Sequence, residues 1–367
     1  MSNGKYLSIL EEIKKKGGSL DGGEPNDKVL IVDGLNTFIR VFSVIPTTND
    51  DGIHIGGIVG FLKSVGYAIK MLGPTRTIIV FDGKGGSNRR RKLYPEYKAK
   101  RRTKKIRLNR VNDFENMDDE RHSMMMQLSR CVEYLETLPV SILSVDSVEA
   151  DDVIAYITKQ LLPKNNHIIM STDKDFLQLV DDKISVWSPT KKKLYKPDVV
   201  KEEYGVTSKN LLMTRIFDGD TSDNIKGVMG IGSKTLLKNF PDLADEGVTY
   251  TVDEIVDKCE QGSRFHNIVR KQRDRMHLNH KLMQLHEVDI SGGAKLKINR
   301  VINGKIQELI KSKFQTMFIE DRMFGALPNL DSWIMLNWTN LNRYATVSYT
   351  HLRAHETLRY RVCRLVG

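Results

Sequence analysis

Two segments of this chain are apolar from end to end and finish on an acid: Lys28-Val-Leu-Ile-Val-Asp33 and Thr77-Ile-Ile-Val-Phe-Asp82. A short run with no polar face is a strand buried on both sides, and such strands need helices on both faces of their sheet. The sequence supplies them. Ile58, Phe61, Leu62, Val65 and Ile69 form a helical stripe over Gly56–Met71, and a second helix is expected over about Arg121–Leu138. Further strands are expected at Val140–Val145, Ile168–Met170 and Ile184–Trp187. The fold class is therefore α/β, with a mostly parallel central sheet flanked by helices. In such sheets the functional site lies beyond the carboxyl ends of the strands. Asp33, Asp82 and Asp173 all stand at such ends.

The stretch Asp146–Phe176 gathers more acids. Glu149, Asp151 and Asp152 open an amphipathic segment, and Asp173 and Asp175 follow the next strand. Taken alone, acids at helix starts can simply complement the helix dipole. Placed beside Asp33 and Asp82, they read better as oxygen ligands of a hard divalent cation, because converging carboxylates repel one another without one. The nine histidines and three scattered cysteines have no metal-ligand spacing.

Between Asp82 and the next helix the pattern breaks. Gly83–Arg110 carries thirteen cations against the single acid Glu96, with Tyr94 and Tyr97 interleaved. A solvated face is the usual reading of a charge run. A single-signed run leaving a strand end beside acids is better read as an element that tracks phosphates, with aromatics for unpaired bases. Arg89, Arg90, Arg91, Tyr97, Lys98, Arg101 and Arg102 are its candidate contacts. The formal net charge of +11 agrees with a polyanionic partner.

Residues Asp218–Thr235 resemble two motifs and satisfy neither. Asp223 replaces the turn glycine of a calcium loop, and Ser233 intrudes between glycine and lysine of a P-loop. A helix–hairpin–helix fits better. Gly230 and Gly232 let the backbone approach a phosphate, which would meet the amides at Ser233 and the charge of Lys234. Asp220 and Asp223 add two acids.

Helices are expected at Val252–Cys259, Phe265–His286 and Val301–Phe318, with Trp333 and Trp338 packing a cap. The basic stretch Arg270–Arg275 is as well read as a solvated face as a DNA contact. The division expected is an extension over 1–27, a catalytic α/β domain over 28–200 with a basic arch at 83–120, a DNA-binding region over 201–300 and a cap over 301–345. From about Val347 the chain loses any period and resembles a translated sequencing-adapter read-through, so 346–367 is expected not to be native. Removing it leaves the chain basic. No apolar run approaches the roughly 18 residues of a membrane helix. A monomer in the cytoplasm is expected, that of the host if the gene is phage-borne.

The motifs VDGLNTFIR, FDGKGGSNRRRKLYPEYKAKR, VEADD, STDKDF and GDTSDNIKGVMGIGSKT together resemble the flap-endonuclease-like 5′ nucleases, nearest in style to the RNase H and 5′-3′ exonucleases of T-even-like bacteriophages. The resemblance spans roughly residues 28–290. It implies a metal-dependent 5′→3′ exonuclease and flap endonuclease acting on 5′ flaps, nicked duplexes and RNA–DNA hybrids, for primer removal and Okazaki-fragment processing. It assigns Asp33, Asp82, Glu149, Asp151, Asp152, Asp173, Asp175, Asp220 and Asp223 to two Mg²⁺ ions, with Mn²⁺ as the alternative. Lys98 and Arg101 fall at the scissile phosphate, and Asp33, Asp82 and Asp151 share the catalytic role. It implies a duplex-binding hairpin at Gly227–Gly232 that in some members holds K⁺. A single-stranded-DNA-binding protein or a sliding clamp is the implied partner. Three rivals stand beside it: a PIN-type ribonuclease, a non-catalytic structure-selective DNA-binding protein, and the 5′-nuclease part of a DNA polymerase. The long basic arch and the hairpin speak against the first, the gapless acid set against the second, and the helical C-terminal region against the third.

Overall fold

A computed structural model of the chain describes residues 26–99, 107–259 and 263–345. Arg101, Arg102, the extension helix expected near Tyr6–Lys16 and the tail beyond 345 lie outside them. The centre is a six-stranded sheet of β1 (Lys28–Asp33), β2 (Arg76–Phe81), β3 (Ser141–Ser144), β4 (Asn166–Met170), β5 (Ile184–Ser188) and β6 (Lys193–Tyr195), in the order β3-β2-β1-β4-β5-β6. All neighbours are parallel except β6, which runs antiparallel to β5. Lys191 and Lys192 lie in the turn between β5 and β6, and Lys193 opens the edge strand, where cations discourage pairing with another chain.

Side-chain alternation gives the sheet two buried faces. Val29, Ile31, Ile78, Val80 and Ile169 enter one core, and Leu30, Val32, Ile79, Phe81 and Ile168 enter the other. The second core is covered by α1 (Gly34–Val44), α2 (Gly56–Leu72) and α4 (Met117–Leu135), together with α13 (Lys311–Glu320) and α14 (Leu330–Asn342), once α3 (Asn88–Leu93) is counted within the basic run. Trp338 is fully buried there, as expected of a cap.

The first core is covered by α5 (Ala150–Tyr156) and its π-helical continuation Ile157–Leu161, the 3₁₀ turn Lys174–Leu179, and α7 (Ser208–Asp218), which follows α6 (Pro197–Tyr204). A two-stranded hairpin, β7 (Gly219–Asp220) with β8 (Ile225–Lys226), then leads to α8 (Ser233–Asn239). Beyond come α9 (Val252–Asp257), α10 (Arg264–Lys271), α11 (Arg273–Met283) and α12 (Gly292–Ile302). The single helix expected over Phe265–His286 is broken at Gln272, and the one expected over Val301–Phe318 is two helices separated by the Gly304 region. Chain order reverses between β1 and β4, so the crevice above their carboxyl ends is the switch point where such sheets place their sites.

Candidate active site

The acids reach that crevice because each sits at an element end. Asp33 closes β1 and caps α1, accepting from the Asn36 amide at 3.3 Å and from the Ser171 hydroxyl, just past β4, at 2.9 Å. Asp82 follows β2 and accepts from the Ala150 amide at the start of α5 at 2.8 Å. Glu149 precedes α5, and Asp151 and Asp152 lie in its first turn. Asp173 caps the 3₁₀ turn by accepting from the Asp175 amide at 2.8 Å. Gly83 lets the strand ends come together, since a Cβ there would lie 1.6 Å from the Val145 carbonyl oxygen.

The nine acids are not equivalent. Arg90 lies 3 % exposed, pairs with Glu149, and holds Asp152 at 2.8 and 2.9 Å while its Nε donates to the Leu282 carbonyl. Arg89 reaches Asp152 at 3.3 Å. The Lys98 ammonium donates to Glu149 at 2.5 Å and stands 3.9 Å from Asp223. Arg215 of α7 bridges Asp175 and Asp220, both at 2.7 Å. None of the ion pairs among the described residues ends on Asp33, Asp151 or Asp173.

The electrostatics follow this division. Burial lifts the Asp33 carboxyl to about 7, helped by the charge of Asp82. Burial and Asp173 likewise push Asp175 to about 7 against the opposing pull of Arg215. Asp151 is driven well above the carboxylate range by burial, then by Asp173 and Asp33. Asp173 rises chiefly by burial. Burial would raise Glu149 too, but Arg90 and Lys98 outweigh it and hold the carboxyl low. Glu149 in turn keeps Lys98 charged, up to about 12, despite its burial.

Several expectations change here. Arg90 was expected on a nucleic acid; its guanidinium is buried and spent on two carboxylates. Tyr97 was expected to stack on bases; it is 3 % exposed, donates to Asp223 at 3.0 Å and lies against Glu149. The Ser233 amide was expected to meet a phosphate; it already donates to Asp218 Oδ1 at 2.7 Å. Gly230, at φ 83° in the loop after the hairpin, and Lys234, in the first turn of α8, remain exposed, while Arg91 is half-buried. Arg215 and Ser171 escaped the sequence reading; a lone arginine in an otherwise apolar helix turn, three residues before Asp218, was the available signal for the first.

Among the described residues no three acids stand at the spacing of a single metal's ligand shell. The donor chemistry nevertheless fits a hard cation. Asp33 is buried, Asp151 and Asp173 are half-buried beside it, and among the described residues no cation pairs with any of the three, which is the deficit a divalent ion would meet. Mg²⁺ keeps part of its water shell and does not need every ligand to be a side chain.

A family model for the 5′-3′ exonuclease N-terminal, resolvase-like domain matches residues 28–205. The chain is 27 % identical over 295 residues to a 5′-3′ exonuclease of Buchnera aphidicola from Acyrthosiphon pisum, covering 79 % of this chain and 93 % of that one. It is 30 % identical over 221 residues to the 5′-3′ exonuclease of the Schizaphis graminum strain, covering 59 % and 71 %. It also matches the DNA polymerase I of Bacillus subtilis, of which it spans 25 %. The fold is similar to that of the bacteriophage T5 flap endonuclease crystallised with DNA and metal ions, with a TM-score of 0.58 at 21 % identity over 80 % of this chain and 99 % of that one.

Proposed function

The chain belongs to the 5′-3′ exonuclease family, and on that premise we propose how its own residues cut a phosphodiester. It is a hydrolase of DNA. The substrate we infer is a 5′ end beside duplex: a flap, a nick or an RNA–DNA hybrid. Asp33, Asp82, Asp151 and Asp173 would hold the divalent cations, two Mg²⁺ by preference and Mn²⁺ as substitute, with Glu149, Asp152, Asp175, Asp220 and Asp223 as outer anchors. Bound there, the ions would supply Lewis acidity and lower the pKa of water.

The chain does the rest. Lys98, charged and held over the acids by Glu149, offers its ammonium to the phosphate oxygens as charge develops on them. Arg101 is proposed beside it on the residue pattern alone. Arg90 and Arg215 hold the outer acids in place, so that the inner acids meet the cations in a fixed frame. Half-buried Arg89 on the arch stem, with exposed Gly230 before α8 and exposed Lys234 in its first turn, holds the backbone by its phosphates, so recognition follows structure rather than sequence. The hairpin's backbone carbonyls are the proposed place for K⁺.

The observation that carries this reading is Lys98 poised on Glu149 beside Asp151, whose carboxyl no arginine or lysine pairs among the described residues. The test is cleavage of 5′-labelled flap, nicked and RNA–DNA hybrid substrates by Lys98→Ala. Single-turnover cleavage is expected to fall on the order of 100-fold or more with DNA affinity little changed. Wild-type rates in that variant would refute the assignment.

A further inference from the structure

The arch stem and the hairpin loop are joined by a clasp that the reaction scheme above leaves unexplained. The Lys98 amide donates to the Asp223 carbonyl at 2.9 Å, and the Tyr97 hydroxyl donates to the Asp223 carboxylate. One residue on, the Asn224 side-chain amide donates to the Glu96 carbonyl at 2.9 Å. Lys98 and Asn224, one on each side of the clasp, both adopt the left-handed region, at φ 56° and 60°. Non-glycine residues take that region at a cost of about 1 kcal/mol or more and keep it only where surroundings fix it. The Asn224 bond fastens the peptide two residues before Lys98, within the turn that carries the lysine.

We propose that Asn224 is a positioning residue for Lys98: its side-chain amide locks the Glu96–Lys98 turn to the hairpin loop and so fixes the ammonium over the acids. Asparagine suits both demands. It tolerates the left-handed backbone, and its amide reaches a carbonyl that no aspartate could bond as a donor. The inference rests on Lys98 acting at the phosphate, as proposed above.

The test is a double-mutant cycle read by single-turnover cleavage of a 5′-flap substrate, with DNA affinity and thermal melting measured alongside. Asn224→Gly keeps the backbone conformation and removes only the amide. It is expected to cut roughly 10- to 100-fold more slowly, the order of effect that a small misplacement brings, with DNA affinity and melting close to wild type. Asn224→Gly combined with Lys98→Ala should be no slower than Lys98→Ala alone, because the amide has nothing left to position. A wild-type rate in Asn224→Gly, or an undiminished loss in the Lys98→Ala background, overturns the proposal. If Lys98→Ala itself cuts at the wild-type rate, the parent reading fails instead, and the two failures are told apart by that one variant.

Discussion

Arg90 grips Asp152 with both ends of its guanidinium, at 2.8 and 2.9 Å, and both side chains are buried. A run of cations that sequence reads as a DNA-facing arm thus sends one member inward to organise the acids. Breaking a buried pair leaves an uncompensated charge behind. Arg90→Met should therefore destabilise the metal-free chain by about 3–5 kcal/mol in chemical denaturation, since it leaves buried Asp152 and Glu149 side by side with only Arg89 and Lys98 to offset them. A change under about 1 kcal/mol, as for an exposed pair, would contradict the placement.

Asp33 and Asp175 lose their protons near pH 7 in the folded chain instead of near 3.8. Between those values the folded state holds protons that the unfolded state has released, so stability falls as pH rises through the window. The metal-free protein should melt higher at about pH 5 than at about pH 8, and added Mg²⁺ should raise melting mainly at the higher pH. Glu149 and Asp220, held low, act oppositely and matter only in acid below their ordinary range. Melting that rises steadily from about pH 5 to about pH 8 without metal would count against these shifts.

Gly83 faces backbone on all sides of its absent side chain. Gly83→Ala would drive a methyl into the Val145 carbonyl, and a loss on the order of 3–5 kcal/mol in melting or denaturant titration is expected. Gly247→Ala, which meets open space, is the matched control and should be near neutral.

Gln272, at the break between α10 and α11, fastens the hairpin tip by accepting from the Met229 amide at 2.8 Å and donating to its carbonyl at 3.0 Å. Gln272→Ala should raise KM several-fold for duplex-bearing substrates and leave kcat near wild type, because it loosens a gripping element and not the acids. A loss confined to kcat would point to a different role.

How much of this was legible in the sequence depended on what carried the signal. Asp33 and Asp82 could be placed because each ends a wholly apolar strand, and strand ends of a parallel sheet share one crevice. β1, α2 and β4 were read close to their observed spans for the same reason: hydrophobic period is local. Arg90 and Tyr97 could not be placed, because inward and outward members of a charge run differ only in tertiary contact. Ser171 acts through Asp33, and Arg215 joins Asp175 to Asp220, so each depends on a partner far away in sequence. The break at Gln272 leaves no proline or glycine to mark it.

The central claim is that the carboxyls at the strand ends are the chemical centre, and that the hairpin and arch hold the DNA. Asp173→Asn isolates it, removing one negative charge while keeping the shape and a hydrogen-bond acceptor for the Asp175 amide. Cleavage of a labelled 5′-flap substrate in Mg²⁺ should be lost, while the variant binds the same DNA as tightly as wild type or more so. Retained Mg²⁺-dependent cleavage by the purified variant would contradict the account.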